Sequence, residues 1–426
     1  MELKAGYKQT ELGVIPEDWD VTPICDINPF VTSGSRGWSA YYSDQGAPFI
    51  RITNLYRNCI YPSLDDLRFV SLSANDSEAV RTQLQDGDVL ISITADIGII
   101  GHVTAAVPKP AYINQHIALV RFNTERICSK FVSYFLASET PQKRFGALTD
   151  SGAKAGMNLT TVQQIRLAVP PTKSEQVAIA EALSDADALI ESLDQLITKK
   201  RNLKQAAMQQ LLTGQTRLPG FSGDWESKPM REVAWFQEGP GVRTWQFTST
   251  GVKLLNGTNI VCGRLNLDST SRFISETEAN GVYSHFLADE GDIVIASSGI
   301  TMERFHEKVA VVSSADLPFC MNTSTIRFKP REGKLAAAFL YHLLTGDSFK
   351  EAIGGHATGS AQLNFGPSHI DKVEIGFPGY DEQTAIATIL SDMDTELAEL
   401  EARLAKARHI KQGMMQELLT GRIRLL

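Results

Sequence analysis

The sequence predicts an α+β fold: two mixed α/β blocks joined by two long helices forming an antiparallel coiled coil, arranged as a pseudo-twofold internal repeat. Three observations predict it. Residues 171–218 and 378–425 align without a gap at an offset of 207, and 23 of the 48 pairs are identical, which marks an internal repeat. Both copies place apolar residues at alternating steps of four and three. The two stretches preceding these copies pass through the same short β-type runs in the same order, with different loops between them.

The helices come first because everything else is attached to them. In the second copy Ile386, Leu390, Met393, Leu397, Leu400, Leu404, Ala407, Lys411, Met414 and Leu418 form a coiled-coil seam. The first copy has Ile179, Leu183, Ala186, Ile190, Leu193, Ile197, Lys200, Lys204, Ala207 and Leu211 at the aligned positions. Thr172 with Glu175 resembles a capping box, and Gly214 and Gly421 read as C-terminal stops. Some 40 residues rising ~1.5 Å each make a rod of roughly 60 Å. Each rod is acidic early (Glu175, Glu181, Asp185, Asp187) and basic late (Lys199, Lys200, Arg201, Lys204), so an antiparallel pair sets opposite charges side by side.

Thr-Glu-Leu-Gly-Val-Ile-Pro-Glu-Asp-Trp at 10–19 returns as Thr-Arg-Leu-Pro-Gly-Phe-Ser-Gly-Asp-Trp at 216–225, so the repeat is larger than the helix. In the first block, β-type runs at 48–53, 88–94 and 117–122 alternate with Gly/Ser/Asn turns. A helical piece at 129–138, a polar loop at 149–158 and a last strand at 165–170 follow. The second block repeats the order: Gly291-Asp-Ile-Val-Ile-Ala matches Gly87-Asp-Val-Leu-Ile-Ser, and Arg327-Phe328 is aligned with Arg121-Phe122. One scaffold with two loop sets suggests one task performed on two different targets.

Composition narrows the class. Among 426 residues 43% are hydrophobic and 21% charged, with net charge −8. No apolar run reaches the ~18 residues of a membrane span, and the N-terminus lacks an apolar signal region; a cytoplasmic protein is expected. Five scattered cysteines without a CxxC pair support neither a zinc site nor a disulfide framework. Neither block is basic overall, so any nucleic-acid contact must be local.

Two variable blocks, each followed by a Glu-Gln-x-x-Ile…Leu-Leu-Thr-Gly helix and each opened by an Asp-Trp segment, resemble the specificity (S) subunit of a Type I restriction–modification system over essentially the full length. The resemblance implies target recognition domains at 1–170 and 215–378, with conserved spacer helices at 171–214 and 379–426. Each domain would read one half of a bipartite, asymmetric site on double-stranded DNA. Half-sites on one face of B-DNA lie about 34–36 Å apart, a separation the rods can hold. The resemblance implies as partners two methyltransferase (M) subunits, which would bring S-adenosylmethionine, and restriction/translocase (R) subunits. The chain itself would use no cofactor, bind no metal and perform no catalysis. The alternative is a nuclease or methyltransferase with its own active site in one block.

Base edges are read best by Arg, Lys, Asn and Gln in loops. DNA contacts are therefore expected from Ser35, Arg36, Asn54, Arg57, Lys154 and Asn158 in the first block. In the second they are expected from Arg243, Gln246, Asn256, Asn259, Arg304, His356, Gln362 and Asn364. Trp38, Tyr41 and Tyr42 beside Arg36 suit a sugar or base-face contact. Asn28-Pro-Phe resembles a methyltransferase motif but lacks its second proline and reads as a turn. Gly354-Gly-His-Ala-Thr-Gly-Ser has P-loop spacing without the lysine. Asp316 with Glu332 and Lys334 does not converge as a nuclease site requires.

Overall fold

A computed structural model describes residues 5–34, 36–72, 77–123, 125–150, 156–359 and 362–425. The chain divides into two compact units, residues 1–194 with 402–426 and residues 195–401. The division falls inside the two long helices, Lys173–Leu211 and Tyr380–Leu418. Each unit therefore holds one globular part, the first half of one helix and the second half of the other.

The helices pair antiparallel, as their charge halves require. In the first unit Lys411 meets Asp187 at 2.5 Å and Arg408 meets Asp194 at 2.9 Å. In the second, Lys200 meets Glu396 at 2.6 Å, Arg201 meets Glu401 at 2.5 Å, and Lys204 pairs with Asp394. Partner numbers fall along one helix as they rise along the other. The apolar seam is covered as its spacing predicts: Leu193 and Leu404 are buried, and so are Ile197 and Leu400. Lys204 and Lys411 occupy seam positions with their aspartates. A parallel pairing would set lysine against lysine there.

Two features of the repeat acquire a cause. Gln176 and Gln383, both buried, stitch a helix start to its own globular part. Gln176 accepts from the Cys128 N–H and donates to the Arg126 and Pro170 carbonyls; Gln383 accepts from Ala336 and donates to Lys334 and Pro378. The preceding glutamate corrects the capping-box expectation. Thr172 does accept from the Glu175 N–H at 3.3 Å, but the buried Glu175 carboxylate turns to Arg424, which also grips Asp18. Arg217 holds the buried Glu382 in the same way, at 2.7 Å. A buried carboxylate needs a paired cation more than a cap, and the arginine supplies it. The guanidinium of Arg424 lies over Trp19 and that of Arg217 over Trp225. Gly421 and Gly214, at φ near +70°, end the helices against these same indoles. Leu-Leu-Thr-Gly, Arg and Asp-Trp are thus one packed device occurring twice.

Each globular part is built on a four-stranded antiparallel sheet. In the first unit the order is Phe30–Ser33, Ile117–Arg121, Val89–Ser92, Ile100–His102; in the second it is Ala234–Glu238, Thr325–Pro330, Ile293–Ala296, Val309–Val311. The inner strands are apolar on both faces because both faces are covered. Val89 and Ile91 pack against the helix Ser129–Ala137, whereas Leu90 and Leu119 join Ile50, Leu55 and Ile113 on the other side. That other side carries a smaller sheet: Ala47–Ile50 beside Tyr112–Ile113 in the first unit, Val252–Leu255 beside Phe319–Met321 in the second. The sequence analysis expects one helical piece after the main sheet. The structure has three among the described residues of each unit: a second at Glu139–Asp150 or Asp347–Gly354 and a short third at Leu159–Gln163 or Pro367–Ile370.

Strand register also corrects one alignment. Val120 pairs with Val89, and Phe328 pairs with Ile293. With the Gly-Asp motifs superposed, Arg121 corresponds to Lys329 and not to Arg327. The chemistry converges all the same. Asp88, its carboxyl raised above the usual range by burial and opposed by Arg121, receives that guanidinium at 2.7 Å. Asp292 receives Lys329 from the matching position and Arg327 from two residues earlier on the same strand. Both aspartates also accept a backbone N–H three residues earlier, so Gly-Asp is a structural turn. Asn28, in the left-handed conformation at the end of the turn Ile24–Ile27, is the turn residue expected.

Candidate nucleic-acid interface

In each unit, loops leaving the main sheet meet at one end. In the second unit the loop after Val252–Leu255 is closed by Asn259, whose side chain accepts from the Asn256 N–H and donates to Asn266 and Ser269. The Asn322 amide donates to Asn256 at 3.0 Å, and the Ser324 hydroxyl accepts from the Gly257 N–H at 2.9 Å. Asn364 accepts from the Ser298 hydroxyl and the Gly299 N–H, tying in the loop of residues 362–364. These loops, with residues 269–272, enclose a cavity of about 540 Å³ lined by asparagine, serine and threonine side chains, one glycine and Arg272. The Asn256, Asn259 and Asn322 amides are engaged in holding these loops, while the exposed Thr258, Ser271 and Thr323 and the Arg272 guanidinium also line the cavity. Hydroxyls and a guanidinium are suited to base-edge acceptors and to phosphate oxygens.

The first unit repeats the construction with other side chains. Asn54 accepts from the Arg51 N–H and donates to Ser63 and Asp65. Asn114 leads the matching loop, followed by Gln115 and His116. The His116 ring lies between the Thr94 hydroxyl and the Gln115 amide. Gly156 bridges to Thr94, and the Met157 N–H bonds to Ile93. Gly34 and its counterpart Gly239 pass so close to Asn114 and Asn322 that a Cβ would strike their backbone carbonyls.

The structure sorts the sequence-expected contacts. Asn256 lines the second unit's cavity, and Asn364 borders it through its bond to the lining residue Ser298, with Gln362 near Gly299. His356 is exposed two residues before Thr358, which pairs with Asn364. Arg36 and Arg243 are exposed and make no side-chain hydrogen bond or ion pair among the described residues. Asn54 and Asn259 are placed otherwise: both are buried, and their amides are engaged in holding loops. Asn158 caps the helix Leu159–Gln163 through Thr161. Arg57 is held by Asp96, Gln142 and the Ile97 carbonyl. Gln246 donates to Glu278 and Tyr283, and with Ser275 it keeps the Glu278 carboxyl below the usual range. Arg304 pairs with Glu307 at 2.8 Å, apart from the rim. Ser35 and Lys154 lie outside the described residues. Trp38 is buried, while Tyr41 and Tyr42 remain half exposed.

The sequence reading did not single out Thr94, Gln115, His116, Ser298, Asn322, Arg272 and Trp245, which the structure places at or near these loops. The signal for some of them was present. Asn114-Gln-His and Asn322-Thr-Ser stand at the same distance before the central strand in both copies. The candidate nuclease residues do not assemble: Asp316 accepts from the Ser313 N–H and hydroxyl within its own turn. Among the described residues no group of three or more His, Cys, Asp or Glu side chains is placed to hold a metal ion.

Comparison with known proteins agrees with this geometry. A family model described as the Type I restriction modification DNA specificity domain matches twice, over residues 16–199 and 223–407. The chain belongs to that family. It is 26% identical over 272 residues to the Type I restriction enzyme MjaVIII specificity subunit of Methanocaldococcus jannaschii, covering 62% of this chain and 63% of that protein. Its match to the putative MjaX specificity subunit of the same organism is 23% identical and covers 98% and 97%. The fold is that of the Type I restriction–modification S subunit from M. genitalium, at TM-score 0.58 and 15% identity over 98% of each chain. A chain from a structure of Type I restriction–modification complex assembly is similar at TM-score 0.57 and 14% identity.

Proposed function

We propose that this chain is the DNA-reading and assembly subunit of a Type I restriction–modification complex. Residues 1–170 and 215–378 each recognise one half of a bipartite, asymmetric DNA site, and the helical segments 171–214 and 379–426 carry the partners. The observation that supports this most directly is the twice-built loop rim. The scaffold is the same in both units, but one rim offers His116, Thr94 and Gln115, and the other an amide and hydroxyl cavity with Arg272. Two unlike rims on one scaffold fit two unlike half-sites.

The chain is non-catalytic in this reading. Methylation belongs to partner M subunits using S-adenosylmethionine, and cleavage to R subunits. Leu196 and Leu203, one heptad apart on the first long helix, stay 38% and 48% exposed, and such a stripe suits a partner helix. Among the described residues no helix is long and apolar enough to cross a membrane, and a cytoplasmic complex is the setting proposed.

The test is to co-express the chain with its cognate methyltransferase subunit in an unmethylated host and to map methylated adenines. One split motif with two different halves is the expected result. Replacing residues 215–378 by those of a relative must change one half and spare the other. A methylation pattern untouched by that exchange refutes the assignment.

A further inference from the structure

We propose that Trp245 and Arg243 form a DNA-contacting pair that sets specificity in the second unit, at the rim of its polar cavity. The inference deepens the DNA-recognition reading and rests on it.

Trp245 is 80% exposed. Tryptophan is enriched at interfaces, where an amphipathic ring is covered in use. In this chain Trp19 and Trp38 are buried, and Trp235, the next most exposed, stands at 38%. Flexibility does not account for the exposure, because the loop is pinned at both ends. At its start, Gly239 packs against the Asn322 backbone, Gly241 lies against the Thr323 methyl, and Val242 is buried. At its end, Phe247 lies 5.5 Å from the Arg272 guanidinium, and the Thr248 N–H bonds to Phe273 at 2.9 Å. Between them the turn Thr244–Gln246 is locked by Gln246, which accepts from the Arg243 N–H and donates to Glu278 and Tyr283.

The residues that anchor the loop identify the surface it borders. Asn322, Thr323 and Arg272 all line the 540 Å³ cavity. The apex therefore presents an indole and, among the described residues, an unpaired guanidinium at the border of a cavity lined by hydroxyls, loop-holding amides and Arg272. A DNA duplex offers the complement: anionic phosphates, polar base edges and apolar surface on sugars, thymine methyls and opened base steps. Arg243 suits the phosphates or a guanine edge, Trp245 the apolar surface, and the cavity the edges between.

The test uses the full chain in complex with its methyltransferase and a duplex carrying the methylated motif. Trp245→Ala is expected to weaken that duplex tenfold or more while the melting temperature holds, since the ring is exposed. Trp245→Phe retains most of the affinity. Arg243→Ala weakens all duplexes and lowers the slope of log affinity against log salt by about 1. Methylation by the Trp245→Ala complex should relax in one half of the motif, the half changed by exchanging residues 215–378. Tryptophan emission of the wild type, less that of Trp245→Phe, should be quenched by the duplex. Unchanged affinity and motif for Trp245→Ala overturn the proposal. So does loss of co-purification with the methyltransferase in place of DNA binding, which assigns Trp245 to a protein contact. A wild-type complex that neither binds nor methylates DNA defeats the recognition reading itself, before any variant is compared.

Discussion

Residues 36–43 of the first unit and 241–248 of the second follow equivalent strands and treat tryptophan in opposite ways. In the first, Trp38 turns inward and packs beside Phe49 and Tyr112, with ring centroids 5.8 and 5.5 Å away. In the second, Val242 takes the inward place, against Val252, Leu254 and Cys320, and Trp245 faces out. The small sheet demands one apolar plug from the loop and is indifferent to which residue supplies it. Once a valine suffices, the aromatic ring is free for the surface. Loop identity in this scaffold is therefore decided by which position fills the plug.

The largest expected effect breaks this comparison at its base. Trp38→Ala should cost the first unit about 3–5 kcal/mol, as large-to-small changes in a packed core do, whereas Trp245→Ala should leave stability within about 0.5 kcal/mol. Urea unfolding of the two variants checks it; equal losses would show that the two loops are packed alike.

A second prediction compares two buried histidines, one on a helix packed on the main sheet (Ala337–Thr345) and one on a main-sheet strand (Ile100–His102). His342 of the second unit and His102 of the first are buried, and desolvation pushes each imidazole down to about 4. Both stay neutral in the folded chain while their unfolded counterparts take up protons near pH 6.5. The unfolded state then binds more protons, so stability is intact above pH 6.5 and falls as pH drops towards about 4, by about 1.4 kcal/mol per pH unit for each histidine. Melting temperatures of His342→Gln and His102→Gln across that window should each be flatter than the wild type. A wild-type stability independent of pH there would refute it.

Smaller effects are expected at the loop pins. Asn54→Ala and Asn259→Ala each leave buried N–H and C=O groups unpaired and should cost roughly 1–3 kcal/mol. If either variant lost DNA affinity at unchanged stability, that asparagine would be a reader and not a pin. Arg304→Ala, which removes an exposed pair with Glu307, should change stability by less than about 1 kcal/mol and leave the recognised motif unaltered.

The fold was legible because its signals are local and repeated. Seam spacing at Leu390, Leu397 and Leu404, charge reversal along each helix, and the glycine stops each need only their own neighbourhood. The candidate interface was legible in part. Asn256 stands at the second unit's cavity, whereas Asn54 and Asn259 close turns, because an asparagine that closes a turn and one left at a surface look the same in sequence. The exposure of Trp245 was not legible because it depends on Val242 filling a site formed by strands far along the chain. Arg121 was aligned with Arg327 because identical letters outweighed a two-residue shift that only strand pairing reveals.

The buried glutamines at the helix starts have a mechanical consequence. Advancing either helix by one residue is a slide of about 1.5 Å. That slide would pull Gln176 or Gln383 off three backbone partners at once and strand an amide where water is excluded. Each helix is thus keyed to its own sheet like an axle to a wheel: torque and tilt pass through the joint, but axial slip does not.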